Sequence, residues 1–312
     1  MIKRKLIQLF ILLAIPSLGM AQNSALDTIR VFYLGGQSNM DGYGYSEDLP
    51  DSLQEAFKNI YIFHGNPVKD DHQNGGLGKW EVLQAGHGAG FSSNGIKNKL
   101  SKRFGVELSF AKKMQALHPK DKIAIIKYSK GGTSIDAGTS RKSSCWEPDY
   151  KSETGINQYD NFLTTVRQAL KVKDINEDGI EDYLLLSGIV WMQGESDAHD
   201  KDVAMRYDSN LKRLMELIRA SFRDGDLPIV LGKISDSGNN AEGKVWEYGE
   251  LVQYAQEKFA RSDDNAAIVR STKFYDYSDK WHYNSKGFID LGEKFAEEMD
   301  RLMQQNEEKK GF

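Results

Sequence analysis

The chain predicts an α/β sandwich built on a largely parallel sheet. Two observations carry that expectation. Short, nearly continuous apolar runs alternate with longer segments of helical period, the pattern of strands buried on both faces and joined by crossover helices. The residues just after several of these runs are glycine-rich and polar, and open α/β sheets bind ligands beyond the carboxyl ends of their strands.

The first strand is expected at 29–34 (IRVFYL), running into Gly35-Gly36, and a second at 60–63. A third, 122–128 (KIAIIKY), ends in Ser-Lys-Gly-Gly, and a fourth, 183–192 (YLLLSGIVWM), ends in Gln-Gly-Glu. The last two are 228–233 (PIVLGK) and 266–270 (AAIVR). Helical period appears between them. Residues 104–117 put Phe104, Leu108, Ala111, Met114 and Leu117 on one stripe, and 203–222 space Val203, Tyr207, Leu211, Leu214 and Ile218 by three or four. Segments 157–172, 245–260 and 287–303 are also expected to be helical. Regions 35–100 and 131–156 are long, irregular and rich in glycine, and such loops tend to carry function. No internal repeat or low-complexity linker divides the chain, and 306–312 reads as a polar tail.

The 312 residues carry 41 Lys and Arg against 45 Asp and Glu, a formal charge of −4, with 39% hydrophobic and 11% aromatic residues. That profile is globular rather than disordered, and its acidic balance argues against a nucleic-acid partner. Residues 1–21 read as an export signal: Lys3, Arg4 and Lys5, then an apolar run at 6–18, then Gly19-Met20-Ala21. The run falls short of the roughly 20 residues needed to span a bilayer, and a retained anchor is the competing reading. Cleavage would leave one domain over 22–312 (core 29–305), formal charge −7, exported to the periplasm or beyond and free of the membrane. The single cysteine, Cys145, rules out an intrachain disulfide.

Four segments carry candidate chemistry. The first strand ends in Gly35-Gly36-Gln37-Ser38-Asn39-Met40. Ser38 there is either a nucleophile at a strand-to-helix turn or a helix N-cap, the commoner use of serine. The third strand leads to Ser129-Lys130-Gly131-Gly132-Thr133, whose glycines either aim a backbone N–H into a site or form a plain turn. The fourth leads to Trp191-Met192-Gln193-Gly194-Glu195-Ser196-Asp197-Ala198. In it the Gln193 amide is a candidate oxyanion donor, and Glu195 and Asp197 either orient the site or cap the next helix. Near the end stands Asp279-Lys280-Trp281-His282, in which His282 has a carboxylate three residues before it. No His-x-x-x-His or Cys-x-x-Cys pair supports a zinc hydrolase, and no Gly-Lys-Ser/Thr follows the loop at 86–90 to support a phosphate site. One further loop, with Asp174, Asn176, Asp178, Gly179 and Asp182, has the opening spacing of a calcium-binding loop. The twelfth position falls on Leu185, so it reads equally as a structural calcium site and as a solvated acidic turn.

The order Gly-Gln-Ser-Asn-Met, Gly-Gly-Thr, Trp-x-Gln-Gly-Glu-x-Asp and Asp-x-x-His resembles the SGNH/GDSL-type esterases. Within them it is most similar to the sialate O-acetylesterase and carbohydrate esterase family six branch, which includes acetylxylan esterases. Phe104-Gly105-Val106-Glu107 also resembles that branch, with Val106 where proline is common. The resemblance spans about 29–305. It implies a three-layer α/β/α sandwich with a flavodoxin-like sheet. It implies hydrolysis of O-acetyl groups on carbohydrate, without metal or organic cofactor for catalysis. Ser38 would be nucleophile, His282 base, and Asp279 the acid orienting it, with Glu195 as alternative and Asp276 nearby. The oxyanion would be met by Ser38 N–H, Gly132 N–H and the Gln193 side chain, since this branch has Gln where the wider superfamily has Asn. Gln37, Asn39, Trp146 and Trp281 are candidates for touching the substrate, and Tyr43 and Tyr45 follow the serine loop closely. Two other activities fit the same fold: a non-catalytic glycan-binding module, and an esterase or lipase acting on non-sugar esters.

Overall fold

The computed structural model describes residues 27–139 and 144–311. The export signal expected at 1–21 lies outside them. Seven strands form the central sheet: β1 (Thr28–Gly36), β2 (Ile60–His64), β3 (Trp80–Val82), β4 (Lys122–Ser129), β5 (Tyr183–Met192), β6 (Ile229–Gly232) and β7 (Ala266–Val269). Their spatial order is β7-β6-β5-β1-β4-β2-β3. Every pairing is parallel except β2 with the short edge strand β3. This is the expected architecture, with β3 added. Three residues with one buried side chain give too little periodicity to be seen in sequence.

The helices that carry the serine or cover the sheet are α1 (Ser38–Asp41), α2 (Glu107–Leu117), α3 (Gln158–Lys171), α4 (Lys201–Ser221), α5 (Gly249–Ser262) and α6 (Ser285–Lys310); a further single turn lies at Asp51–Gln54. Alternation along β1 shows how they cover both faces. Phe32 meets Phe110 of α2 edge-on at 5.2 Å on one side, and Tyr33 meets Phe162 of α3 at 4.9 Å on the other. Helix α2 packs on α6, and α4 on α5. Helix α2 begins at Glu107 rather than 104, because Arg103–Phe104 leave the helical stripe to pair with Gly44–Tyr45 in a two-residue antiparallel ribbon. Two asparagines fix helix starts. Asn157 and Asp160 form a reciprocal capping box on α3, and Asn284 accepts from the Gly287 N–H to open α6.

The chain builds β2 to β4 on one side of β1 and β5 to β7 on the other. The crevice of such a sheet opens where strand order reverses, here at the carboxyl end of β1 between β4 and β5. Among the described residues no helix is long and apolar enough to cross a membrane.

Candidate active site

A cavity of about 480 Å³ opens at this crevice. It is lined by Gln37, Ser38 and Asp41 after β1, by Lys130, Gly131 and Gly132 after β4, and by Trp281 and His282 from the loop before α6. Gly88, Ala89 and Gly90 also line it, so the glycine loop at 86–90 does border the pocket.

The serine is placed by close backbone packing. Gly36 has φ +146°, and a Cβ there would lie 1.9 Å from the Met192 carbonyl oxygen, so only glycine lets β1 pass β5 this closely. The next residue, Gln37, donates its N–H to that same carbonyl at 2.9 Å. Helix α1 then starts at Ser38 itself, so Ser38 is not an N-cap, and no side chain caps this helix. The Ser38 N–H has no acceptor among the described residues. Gly131 packs directly on it, since a Cβ there would sit 3.3 Å from Ser38 Cβ. Gly132 takes φ +76°, turning the chain along the cavity wall.

The histidine is held by its own loop. Ser278 N–H donates to the His282 carbonyl at 2.9 Å, and Tyr277 bridges to Tyr283. Within that turn Asp279 Oδ1 accepts the Trp281 and His282 N–H groups at 2.7 and 2.9 Å, while Oδ2 meets His282 Nδ1 at 2.8 Å. Burial works against the Asp279 charge, but these bonds hold its carboxyl below the usual range. Burial is the largest influence on His282 and depresses its pKa below the ordinary imidazole value, although Asp279 pulls the other way. At neutral pH the pair is therefore a carboxylate beside a neutral imidazole, its Nδ1 proton directed to Asp279 and Nε2 left as the acceptor. Ser38 and His282 line the same cavity without a direct hydrogen bond, a common state of unliganded sites of this kind.

Geometry separates the two candidate acids. Asp279 bonds the His282 ring at Nδ1, and among the described residues Glu195 makes no hydrogen bond or ion pair with it. Its Oε1 accepts from Asn39 Nδ2 at 2.7 Å, its Oε2 is buried without a partner, and burial raises its pKa. Asn39 also donates to the Trp281 carbonyl at 3.2 Å and accepts from Tyr283 N–H at 3.4 Å. Glu195 and Asn39 thus strap the serine helix to the histidine loop. The expectation that Asn39 touches substrate is corrected, because its amide is spent on this strap.

Two more expectations change. Gln193 is fully buried and does not line the cavity. Its Nε2 donates to Asp197 Oδ2 at 2.5 Å, the Thr133 carbonyl at 3.1 Å and Gln37 Oε1 at 3.3 Å, and Tyr207 donates to its Oε1 at 3.0 Å. Burial pushes the Asp197 carboxyl up to about 7. With its donors engaged below the floor, Gln193 presents none to the cavity. Gln37, by contrast, lines the cavity. Its Oε1 accepts from Gln193 Nε2, Gly194 N–H and Ser196 N–H at 3.2–3.3 Å. The amide is thereby fixed with its NH₂ on the opposite side, where it has no partner among the described residues.

Trp146 is fully buried against Trp191 and Tyr128, donating to Thr133 Oγ1 at 3.0 Å, and offers no face to a ligand. Trp281, 36% exposed, does line the cavity, as does Trp246, which nothing in the sequence distinguished from a core residue.

In the 174–182 loop the oxygens of Asp174, Asn176, Asp178 and Asp182 turn to backbone N–H groups of the loop itself. Among the described residues no group of three or more His, Cys, Asp or Glu is arranged to hold a metal ion.

Lys127, unremarked in the sequence, is fully buried. It donates to Glu107 Oε2 at 2.8 Å, to the His87 carbonyl at 2.8 Å and to the carbonyl of Asp41, the last residue of α1, at 2.9 Å. The Glu of the Phe-Gly-Val-Glu segment is thus half of a buried ion pair supporting the serine helix.

Comparison with known proteins adds the following. The family described as carbohydrate esterase, sialic acid-specific acetylesterase matches residues 28–301. No curated protein sequence matches the chain. A protein of Arabidopsis thaliana solved by X-ray crystallography has a TM-score of 0.58 at 21% identity, covering 88% of this chain and 98% of that one. A carbohydrate acetylesterase from Xanthomonas citri has a TM-score of 0.59 at 18% identity, covering 89% of this chain and 57% of its own. NanS has a TM-score of 0.56 at 16% identity, covering 90% and 99%. At these identities the likeness is one of fold.

Proposed function

The chain belongs to the sialic acid-specific acetylesterase family of carbohydrate esterases, and from that premise we propose that it removes O-acetyl groups from sugars through a Ser38–His282–Asp279 triad. The observation that carries the reading is the His282 imidazole. It is fixed by Asp279 at Nδ1, neutral at working pH, and shares a cavity with Ser38 at the crevice of the sheet.

His282 Nε2 takes the Ser38 proton as Oγ attacks the acetyl carbonyl, since a serine alkoxide does not form unaided at neutral pH. Asp279 stabilises the imidazolium. The tetrahedral oxyanion is met by the Ser38 N–H, the Gly132 N–H and the Gln37 side chain in place of Gln193. His282 then protonates the departing sugar hydroxyl. Water attacks the acetyl-enzyme by the reverse route, releasing acetate and restoring Ser38. The chemistry calls on no metal or organic cofactor.

Among acetylated sugars, one bearing a carboxylate fits best. Lys130 lines the cavity within electrostatic reach of the buried Asp41 carboxyl but in no direct ion pair with it. An O-acetylated sialic acid would give its ammonium a direct carboxylate partner that a neutral acetylated xylose would not. The basic, apolar start of the sequence supports export to the periplasm or beyond.

Hydrolysis of p-nitrophenyl acetate tests the reaction. Ser38→Ala and His282→Gln should abolish it, and Asp279→Asn should lower kcat by up to about 10⁴. A wild-type chain no faster than Ser38→Ala would sink the reading in favour of a binding module. Acetate release from O-acetylated sialic acid and from acetylated xylo-oligosaccharides tests the substrate, and equal turnover of both would remove the case for an acidic sugar.

A further inference from the structure

A side chain outside the triad holds the imidazole from its flat face. Tyr43 stacks on His282 almost perfectly parallel, with ring centroids 3.6 Å apart and planes 4° from coplanar. The Asp279 bond restrains one nitrogen of that ring, but a single hydrogen bond leaves the plane free to swing about it. Tyr43 supplies the missing restraint, and its own position is set from behind. Arg103 donates through Nη1 to the Tyr43 carbonyl, and its guanidinium lies 5.5 Å from the Tyr43 ring centroid and 3.8 Å from that of Tyr45. The ribbon pairing Gly44–Tyr45 with Arg103–Phe104 fixes the backbone on which both sit. Tyr45 N–H donates to Ser285 Oγ at 3.0 Å, and Ser285 donates to Asp48 at 2.6 Å. The tyrosine segment is therefore tied to the start of α6, three residues beyond His282.

We propose that Tyr43, buttressed by Arg103, is a positioning residue for the general base: it fixes the plane of His282 so that Nε2 addresses Ser38, and its π-face meets the imidazolium that forms in the transition state. The inference rests on the reading of His282 as the base. A cation over an aromatic face is stabilised by the ring quadrupole, so the stack favours the charged ring at the moment when charge develops. Other groups also act on the imidazole: Asp279 from its own loop, Asp41 from the serine helix, and the Arg103 cation behind Tyr43. The first two favour protonation and Arg103 opposes it. The stack also covers one face of the ring and shields it from water.

Steady-state kinetics with p-nitrophenyl acetate and pH profiles of kcat/KM test the proposal. Tyr43→Phe keeps the ring and should stay within about threefold of wild type. Tyr43→Leu should lower kcat roughly 5- to 30-fold at nearly constant KM, and its acidic limb should move to lower pH, because the π-face that favours the imidazolium is gone while leucine keeps the ring covered. Arg103→Gln, which spares the ring but removes a cation opposing protonation of His282, should move that limb to higher pH with a smaller loss of kcat, and it serves if Tyr43→Leu does not fold. Wild-type kcat with an unmoved limb in either Tyr43→Leu or Arg103→Gln overturns the proposal. So does an equal loss in Tyr43→Phe and Tyr43→Leu, which would implicate the phenol hydroxyl instead. Wild-type activity in His282→Gln would instead remove the underlying reading.

Discussion

Replacing Lys127 by methionine removes one charge from a pair whose side chains are both fully buried. The aliphatic stem can be filled by the new side chain, so little volume is lost. What is lost is the ammonium that satisfies Glu107 Oε2, the Asp41 carbonyl and the His87 carbonyl. Glu107 keeps only the Gly105 N–H, at 2.9 Å to Oε1. Breaking a buried pair in this way costs about 3–5 kcal/mol, because the remaining charge is desolvated and uncompensated. At roughly 2–4 °C per kcal/mol for a domain near this size, Tm should fall by roughly 6–20 °C. Glu107→Leu alone should cost a similar amount for the converse reason. The double variant Lys127→Met/Glu107→Leu should be much less destabilised than the two losses combined, since no buried charge is left. Thermal and urea unfolding of the four proteins measure this directly. A single variant losing less than about 1 kcal/mol, or strict additivity in the double variant, would refute the argument. The esterase rate adds a second readout. Lys127 grips the last carbonyl of the helix that begins with Ser38, so Lys127→Met should lose activity at temperatures where it is still folded.

The remaining predictions concern the cavity floor and the base. Gln37→Glu keeps the Oε1 acceptor for Gly194 and Ser196 but removes the NH₂, and should lower kcat by about 10²–10³ with little change in Tm. Gln193→Ala should chiefly lower Tm, because it strips Asp197, the Thr133 carbonyl and Tyr207 of partners. A large kcat loss in Gln193→Ala at unchanged Tm, with Gln37→Glu near normal, would return the donor role to Gln193. Because burial lowers the His282 pKa, kcat/KM should rise with pH through an ionisation below the usual value of about 6.5. An acidic limb centred clearly above 6.5 would contradict the neutral, buried imidazole.

Much of this molecule is legible in its amino-acid order. The six longer strands and the main helices follow from apolar period alone, because strands covered on both faces have few polar positions. The serine and the glycine pair stand out because each follows directly on a buried strand, and the Asp-x-x-His turn because a carboxylate stands three residues before a loop histidine just ahead of a helix. Sequence proximity favours Asp279 as the partner of His282, and the structure joins them because the turn folds on itself.

What the sequence could not decide is which way a side chain faces when several partners compete for it. Gln37 and Gln193 are chemically identical amides beside the same crevice. Both are buried, and only the folded arrangement of Asp197, Thr133, Tyr207 and the Gly194–Ser196 amides engages the NH₂ of one and leaves that of the other without a partner at the cavity wall. Trp146 and Trp281 both lie in loops, yet one is core and the other lines the cavity, for a loop's burial depends on what packs over it. Lys127 looks like any polar residue of a strand until three distant acceptors close around its ammonium. Local order thus determined which groups are present and at which strand ends. Tertiary packing alone decided their orientation and partners, since a buried hydrogen bond is settled by every donor and acceptor within reach, most of them far away along the chain.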